Sequence, residues 1–391
     1  MTPEKKAEMY KYAIDIAPRI ISEETIQDLL NNMEEHGGSD LFILGGREVI
    51  MSLHGKKVFC TKRKITDKEA ELIIELIYGE NAISKLGEGS PLNPSYEFKT
   101  VISAEGEARR TLRHRFRCNA VSCLRFGRKS MTITLRTIPT TPPSVFDMQV
   151  EQEIIDVCRK SDQGLILVVG ATGNGKSTLL ASILRDQLED PYGFRNLVTV
   201  EHPIEFVYDD IEMGTSFCTQ LEVGKHIGSF NEGVVNSLRM APTTILVGEA
   251  RNYEEITSAL EASVTGHVVF STVHANSVAE TFQRMVATFP EELQYQGKSD
   301  LIQALKCIVA QRLIPTADGK RTAIREFLIL DQKIKEELMK AENLALAASK
   351  AVAKYGKPMM TDVKSKFEAG IITEEMYNKQ KVNYDREAQS L

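Results

Sequence analysis

The residues from Gly170 to Ser177 have the types and the spacing that phosphate binding requires. They read GATGNGKS and match the pattern G-x-x-x-x-G-K-[ST] in full. Glycines allow the backbone N–H groups of such a loop to converge on a phosphate, and a following helix presents its positive end to the same anion. Lys176 is expected to reach the β- and γ-phosphates of ATP, and the Ser177 hydroxyl is expected to bind Mg²⁺.

The context of this loop favours the same interpretation over a plain strand–turn–helix corner. An apolar segment at Leu165–Val169 predicts a strand before the loop, and Ser177–Leu188 predicts a helix after it. The predicted nucleotide-binding residues are Gly170, Ala171, Thr172, Gly173, Asn174, Gly175, Lys176, Ser177 and Thr178.

Two further strand ends carry carboxylates. The segment Thr243–Glu249 reads TTILVGE, and an acid at its end lies beside the phosphate loop in a parallel sheet, where it can hold Mg²⁺ or its water as a Walker B residue. Leu197–Phe206 places Glu201 and Glu205 around a proline at another strand exit. Hydrolysis of ATP needs a group that orients and deprotonates water, and a carboxylate near the γ-phosphate can do so. An exposed pair of glutamates is the alternative.

A fourth segment, Thr265–His274, is an apolar strand with a histidine near each end. Ser271, Thr272 and His274 lie at the exit of a strand that is predicted to neighbour the phosphate loop. That position suits a sensor of the γ-phosphate. A structural role for His274 is equally compatible with the residues alone.

The elements that must position these residues divide the chain into four parts. The boundaries are 1–137 for an α+β domain, 138–146 for a proline-rich linker, 147–330 for an α/β domain and 331–391 for a helical extension. In the third part, buried-type strands alternate with helical segments, which predicts a largely parallel sheet with helices on both faces. In the first part we predict helices at Ser22–Asn32 and Thr66–Tyr78 and strands at Asp40–Leu44, Glu48–Leu53, Tyr96–Val101, Thr111–Asn119 and Ser130–Leu135.

The composition indicates a soluble globular protein. Apolar residues make up 42% and charged residues 26% of the chain, and no apolar run reaches the length of a membrane span. The N-terminus has no apolar signal segment, and the six cysteines have no metal-binding spacing, so we expect reduced thiols in a cytoplasmic protein. The net charge of −6 argues against stable nucleic-acid binding.

One stretch departs from this acidic balance. Between Arg109 and Arg136 the chain has nine lysines or arginines and no acid. A solvated strand face and a nucleic-acid patch are two interpretations, although aromatic residues are few there. A set of arginines directed at phosphates is the third, and it agrees with the phosphate loop.

The four segments, in this order, resemble the secretion ATPases of the PilT/VirB11/GspE superfamily. Its hallmarks are a Walker A loop, an Asp box, a Walker B strand ending in GE-x-R and a His box. The matching segments read GATGNGKST, VTVEHPIEF, ILVGEAR and TGHVVFSTVHANS, and the resemblance covers about residues 22–330. The C-terminal segment PMMTDVKSKFEAGIITEEMYNK is similar to the extension of the DotB and TraJ subgroup, the ATPases of type IVB secretion and IncI-type conjugation.

The resemblance implies an α/β fold: a RecA-like P-loop NTPase domain, preceded by a PAS-like α+β domain and followed by a helical extension. It implies that Glu205 is the general base, that Glu201 supports Mg²⁺ or water, that Glu249 is the Walker B acid and that His274 reads the nucleotide state. It further implies that Arg117, Arg125 and Arg136 supply guanidinium groups to the phosphates.

The resemblance also implies a homohexameric ATPase at the cytoplasmic face of the inner membrane. Its partners would be membrane proteins of a secretion complex, with a second secretion ATPase as a further candidate. A pilus-retraction motor, a nucleotide-gated assembly module and a DNA translocase are the alternatives. Lys333–Met339 reads KIKEELM where PilT has its retraction motif, which argues against pilus retraction. Two further departures are His202, where the Asp box usually has aspartate and which argues against a metal role at that position, and Asn252, where PilT-like proteins often have aspartate.

Overall fold

The computed structural model describes residues 7–16, 21–53, 56–102, 110–125, 127–138 and 140–389. Its internal contacts divide the chain into two compact units, Met1–Thr140 and Thr141–Leu391. The division falls within the proline-rich segment 138–146, and Pro139 lies outside the described residues. Each unit has its own sheet and its own hydrophobic core.

The first unit is built on a six-stranded antiparallel sheet with the strand order β3-β2-β1-β6-β5-β4. Its strands are β1 (Gly38–Leu44), β2 (Glu48–Leu53), β3 (Lys56–Lys64), β4 (Ser95–Ile102), β5 (Arg110–Arg125) and β6 (Arg128–Ile138). Leu41, Phe116 and Ile133 are buried in its core, because alternate residues of a strand point to one face. The sequence prediction lacks β3, because its many lysines leave no clear alternation of apolar and polar residues.

Three helices pack against this sheet: α1 (Glu23–Glu35), α2 (Asp67–Tyr78) and α3 (Ala82–Gly87). Helix α1 begins at Ser22, whose hydroxyl accepts a hydrogen bond from the Thr25 N–H at 3.3 Å while the Thr25 side chain accepts one from the Ser22 N–H at 3.4 Å. Thr66 and Glu69 form the same reciprocal cap on α2. These caps satisfy backbone donors that a helix start leaves unpaired.

The second unit contains a seven-stranded sheet with the order β13-β12-β7-β11-β10-β8-β9. Its strands are β7 (Gly164–Val169), β8 (Asn196–Glu201), β9 (Phe217–Glu222), β10 (Thr244–Val247), β11 (Val268–Val273), β12 (Leu305–Pro315) and β13 (Arg321–Ile329). Every pair is parallel except β12 with β13. The predicted largely parallel sheet is confirmed, with β9 and β12 as strands that the sequence prediction lacks.

Helices cover both faces of this sheet. Leu165 and Leu167 of β7 belong to one core, and Ile166 and Val168 belong to the other. Burial on both faces explains why β7 is apolar at every position. The helices are α4 (Gln152–Lys160), α5 (Lys176–Glu189), α6 (Phe230–Ser237), α7 (Tyr253–Val264), α8 (Val278–Ala287), α9 (Gln294–Ala304), α10 (Gln332–Met339), α11 (Leu344–Tyr355), α12 (Met359–Glu368) and α13 (Glu374–Gln389).

The C-terminal extension, α10–α13, is helical as predicted and packs into the second unit. Leu338, Val352 and Val363 belong to the same core as the side chains of β7. The backbone of Lys357 also pairs with Phe327 on the outer edge of β13, through hydrogen bonds of 3.0 and 3.1 Å. The extension is therefore part of the core of this unit.

The described part of the chain has two further features, which concern its helices and its cysteines. None of its described helices combines the length and the apolar character needed to cross a membrane. The six cysteines are free. Burial raises the pKa of the Cys60 thiol to about 11 and that of Cys118 to about 12, so both stay protonated at neutral pH.

We predict that Leu338→Ala lowers the free energy of unfolding of the second unit by about 2–5 kcal/mol, because Leu338 is fully buried and its loss leaves a cavity. The matched control is Leu346→Ala, since Leu346 on the next helix is 41% exposed and its change should cost less than about 0.5 kcal/mol. Urea titration of both variants measures the difference. Equal midpoints would show that the extension does not support the core.

Candidate functional site

The phosphate loop joins β7 to α5 through backbone that favours glycine. Gly173 and Gly175 have φ angles of +80° and +72°, a left-handed conformation that side-chain-bearing residues rarely adopt. Gly170 is required for space, because a Cβ atom there would lie 2.5 Å from the backbone oxygen of Gln311. Ala171, Thr172, Gly173 and Ser177 are exposed, and Asn174, Gly175 and Thr178 are half-buried.

Lys176 is the buried cation of the loop, with 8% of its surface exposed. Its Nζ atom donates to the Ala171 carbonyl at 3.4 Å. Burial lowers the pKa of Lys176, and the negative charges of Glu249 and Glu205 act in the opposite direction. The structure therefore brings Lys176 within electrostatic range of two carboxylates predicted from the sequence. A phosphate bound beside the ammonium would offset part of its desolvation.

Sheet register explains why these residues meet. In the central strands, Val169 of β7 pairs with Val273 of β11, Ser271 of β11 pairs with Val247 of β10, and Val247 pairs with Val200 of β8. The carboxyl ends of the four parallel strands therefore lie along one edge of the sheet. The sequence predicts that the acid after β10 lies beside the phosphate loop, and in the sheet β11 lies between β10 and β7.

Glu249 follows β10 and is contacted by a histidine and an arginine. Its Oε1 lies 2.8 Å from His274 Nε2, and its Oε2 lies 2.5 Å from Arg251 Nη2. The Glu249 hydrogen bond raises the pKa of Arg251. Thr272 on β11 donates its hydroxyl proton to the Gly248 carbonyl at 2.7 Å, which ties the His-box strand to this turn. The predicted Walker B and His-box residues are therefore in direct contact.

Glu201 lies at the end of β8 and is buried, whereas Glu205 is half-buried. Thr199 donates to Glu201 Oε1 at 2.8 Å, and Gln220 Nε2 donates to the same oxygen at 3.4 Å. Burial raises the pKa of Glu201 to about 7, against the opposing effect of the Thr199 hydrogen bond. Gln220 also donates to the Phe206 carbonyl at 2.8 Å, so it holds both ends of the turn that carries Glu205.

Other polar residues of these segments lie elsewhere. His267 is at the opposite, amino end of β11, where its Nδ1 lies 3.2 Å from the Ala262 carbonyl. His202 is exposed, and Ser271 is fully buried within β11. Of the two histidines in the His box, the structure brings only His274 to the carboxylates.

The three predicted arginines lie in the first unit, on β5 and β6. Arg117 and Arg136 are exposed and occupy paired positions on these neighbouring strands. Arg136 Nε donates to Asp40 Oδ1 at 2.6 Å. Arg125 lies further along β5, where its Nη2 donates to the Gly46 carbonyl at 3.1 Å. The structure therefore brings Arg117 and Arg136 together and holds Arg125 apart.

In the folded structure, acidic side chains from other strands contact the stretch that has no acid in its own sequence. Arg136 is paired with Asp40 of β1, and Arg115 lies 3.7 Å from Glu97 of β4. The carboxylates come from strands outside the stretch, which its sequence could not show. Arg109, at the start of the stretch, lies outside the described residues.

The oxygen donors near Lys176 fit Mg²⁺. The Ser177 hydroxyl is exposed at the start of α5, and Glu249 supplies a carboxylate within range of the same lysine. Mg²⁺ characteristically takes one or two protein oxygens and leaves its remaining positions to phosphate and water.

Comparison with known proteins agrees with this geometry. The family of type II/IV secretion system proteins matches residues 133–382, which is more than half of the chain. The type IV pilus ATPase PilU of Pseudomonas aeruginosa is 33% identical over 304 residues, covering 78% of this chain and 74% of PilU.

The chain belongs to the type II/IV secretion system protein family. Among solved structures, the ATPase DotB of Legionella pneumophila matches with a TM-score of 0.80 and 36% identity, covering 95% of this chain and all of the DotB chain. The pilus retraction motor PilT with bound ADP matches with a TM-score of 0.76 and 29% identity, covering 90% of this chain and 95% of that one. The predicted superfamily and the RecA-like fold are confirmed, and the chain is a secretion-type P-loop ATPase.

The sequence analysis did not identify three polar residues, Gln220, Gln311 and Arg325, that fix the positions of segments carrying the site. Gln220 supports the Asp-box turn, and Gln311 and Arg325 lie behind the phosphate loop. Each is a polar residue within a strand, and Gln311 and Arg325 are only 2% exposed. A polar side chain inside an apolar strand is the signal that could have identified the last two.

We predict that Glu201 makes stability depend on pH. Its folded-state pKa of about 7 exceeds the ordinary value of about 4.3, so the folded state binds the proton more tightly and the free energy of unfolding falls as the pH rises from about 4.3 to 7. Glu201→Gln removes this fall. When the pH is raised from 5 to 8, the free energy of unfolding of the variant should increase by roughly 1–3 kcal/mol relative to that of the wild type.

Denaturant titrations at both pH values measure that gain. Glu292→Gln makes the same chemical change at an exposed position and should follow the wild-type profile. Parallel pH profiles for the wild type and Glu201→Gln would contradict the assignment of a buried, proton-binding Glu201.

Proposed function

We propose that this chain hydrolyses ATP with Mg²⁺ and that the hydrolysis powers a type IVB secretion or conjugative transfer system. The observation that carries the proposal is the convergence of Lys176, Glu205 and Glu249 at one edge of the sheet, with His274 and Arg251 bound to Glu249. A cation for phosphate, a base for water and a carboxylate for Mg²⁺ are the groups that ATP hydrolysis requires.

In this proposal the backbone N–H groups of the loop and Lys176 hold the phosphates. Ser177 and Glu249 would hold Mg²⁺, which when bound supplies positive charge to the phosphoryl oxygens. Glu205 accepts the proton of the attacking water, and Glu201 with Gln220 positions the turn that carries Glu205. Glu201 is therefore assigned a positioning role.

His274 and Arg251 share the two oxygens of Glu249. Both are more than 40% exposed at the side chain, so they can exchange this carboxylate for another anion. We propose that His274 senses the terminal phosphate of ATP by leaving Glu249 and binding that phosphate. Loss of the phosphate would return His274 to Glu249.

The arginines of the first unit are proposed to act on nucleotide phosphates, bound either by this chain or by a neighbouring copy of it. Guanidinium groups stabilise the charge of a transferring phosphoryl group. Arg117 and Arg136 are the stronger candidates because they are exposed at paired positions of β5 and β6, whereas Arg125 is half-buried. Phosphate would take the place of Asp40 at Arg136. Their association with phosphate and release after hydrolysis would move the first unit about the proline-rich linker.

The assembly proposed for this chain is a homohexameric ring on the cytoplasmic face of the inner membrane, docked on membrane proteins of the secretion complex. Similarity to DotB supports the type IVB system, because it covers 95% of the chain at 36% identity, against 90% at 29% for the PilT structure. A second secretion ATPase is a candidate partner. The acidic net charge favours protein partners over nucleic acid.

A pilus motor is the second candidate, and the similarity to PilU over 78% of the chain favours it. A chromosomal deletion separates the two functions. Loss of effector secretion or plasmid transfer with pili intact supports the first proposal, and loss of pilus retraction alone supports the second.

We predict that Lys176→Ala reduces ATP turnover by at least about a hundredfold, because it removes the cation that binds the transferring phosphoryl group. Circular dichroism should remain unchanged. Phosphate release from the purified variant measures the effect, and wild-type turnover in a folded variant would refute the proposed site.

We predict that Glu205→Gln keeps ATP affinity within about threefold of the wild type and lowers turnover by about a hundredfold or more, because the amide cannot accept the proton of water. The same variant separates a motor from a nucleotide-gated assembly module. A motor stops secretion or conjugation when Glu205 is changed, whereas undiminished secretion with the inactive variant would favour the module.

A further inference from the structure

A buried arginine joins distant parts of the second unit. Arg325 lies on β13 and is 2% exposed. Its Nε donates to Gln311 Oε1 at 2.8 Å, and its Nη1 and Nη2 donate to the carbonyls of Gln149 and Met148, each at 2.8 Å. Nη1 also lies 3.2 Å from Glu151 Oε2. The guanidinium is therefore held in one orientation by four acceptors.

Gln311 continues the network to the phosphate loop. Its Nε2 donates to the carbonyls of Asn174 and Gly175 at 2.8 and 3.1 Å. Because its Oε1 accepts from Arg325, the amide can present only its N–H groups to the loop. The loop is also fixed by the Leu313 N–H, which donates to Asn174 Oδ1 at 3.1 Å. Two residues of β12 thus set the position of Asn174.

The opposite side of Arg325 contacts the segment that follows the proline-rich linker. Met148 and Gln149 lie just beyond residues 138–146, and both present carbonyls to the guanidinium. Gln149 has a φ angle of +48°, which is uncommon for a residue other than glycine and costs conformational energy. Such a conformation persists where surrounding contacts hold it, and Arg325 provides two of them at successive carbonyls.

The C-terminal extension completes the network. The backbone N–H of Arg325 donates to Asp362 Oδ2 at 2.9 Å. Lys357 Nζ bridges Asp362 Oδ1 at 3.0 Å and Glu151 Oε1 at 2.9 Å. Asp362 is 7% exposed. A continuous set of polar contacts therefore runs from the phosphate loop to α12.

We propose that Gln311 and Arg325 are positioning residues that couple the phosphate loop to the exit of the linker and to the C-terminal extension. Binding of nucleotide phosphates would tighten the linker exit and α12, and those elements would in turn set the affinity of the loop, because coupling between two sites is reciprocal. The proposal rests on the proposed function only in requiring that ATP occupies the loop.

Gln311→Glu separates the two ends of the network. The carboxylate keeps an acceptor for Arg325 but presents an oxygen to the carbonyls of Asn174 and Gly175, so the contacts to the loop are lost while the side-chain volume is kept. We expect the Kd and KM for ATP to rise about tenfold or more while kcat changes less than about threefold. Unchanged affinity in this variant would overturn the proposal.

Asp362→Asn tests the contribution of the extension. It removes the charge that pairs with Lys357 and should raise the Kd for ATP at least about threefold. Glu387→Gln is the matched control, because Glu387 also ties the extension to β12, but through Arg312 Nη2 at 2.8 Å rather than through Asp362 and Arg325. Equal loss of affinity in both variants would overturn the specific route through Asp362.

Hydrogen exchange provides a measurement that a purely structural role would not change. Saturating ATP should slow exchange at residues 148–151 and 357–362 of the wild type, and Gln311→Glu at its own saturating ATP should abolish this protection. The same protection in both proteins would refute the coupling while leaving ATP hydrolysis intact as the proposed function. A wild type that binds no ATP would instead refute the proposed function itself.

Discussion

The functional site of the second unit depends on one buried ammonium group, that of Lys176. Lys176 lies at the start of α5 with little contact with water, and burial works against its charge. Such a group is stable only where opposite charge or phosphate lies nearby. Glu205 and Glu249 provide that charge. Both reach the lysine because β8 and β10 run parallel to β7 and end at the edge of the sheet where the loop lies.

Much of this site could be predicted from the sequence. A phosphate loop is a local structure whose glycines are required by φ angle and by close approach, so its residues identify it. Apolar strands that end in Glu249 and His274 are equally local signals. The contact between these two residues is not local. It depends on β10 and β11 being neighbours in the sheet, which the local signals do not specify.

The parts that could not be predicted depend on long-range pairing. Strand β12 contains Gln311 and Arg312 within an apolar run, and its identity follows only from its parallel pairing with β7. Arg136 belongs to an acid-free stretch of sequence, yet it pairs with Asp40 from a strand almost a hundred residues earlier. The extension reads as a polar, helix-prone tail because it is rich in lysine, glutamate and alanine. Leu338 and Val363 nevertheless lie in the core, and Asp362 lies within reach of β13.

The central claim is that the ends of β7, β8, β10 and β11 form one phosphate site. A double-mutant cycle on single-turnover ATP hydrolysis, with Glu249→Gln and His274→Ala made singly and together, tests it most directly. The two side chains lie 2.8 Å apart, and residues that act as a unit are strongly non-additive. The account predicts that the double variant is about as slow as the slower single variant. Rate losses that multiply independently would contradict it.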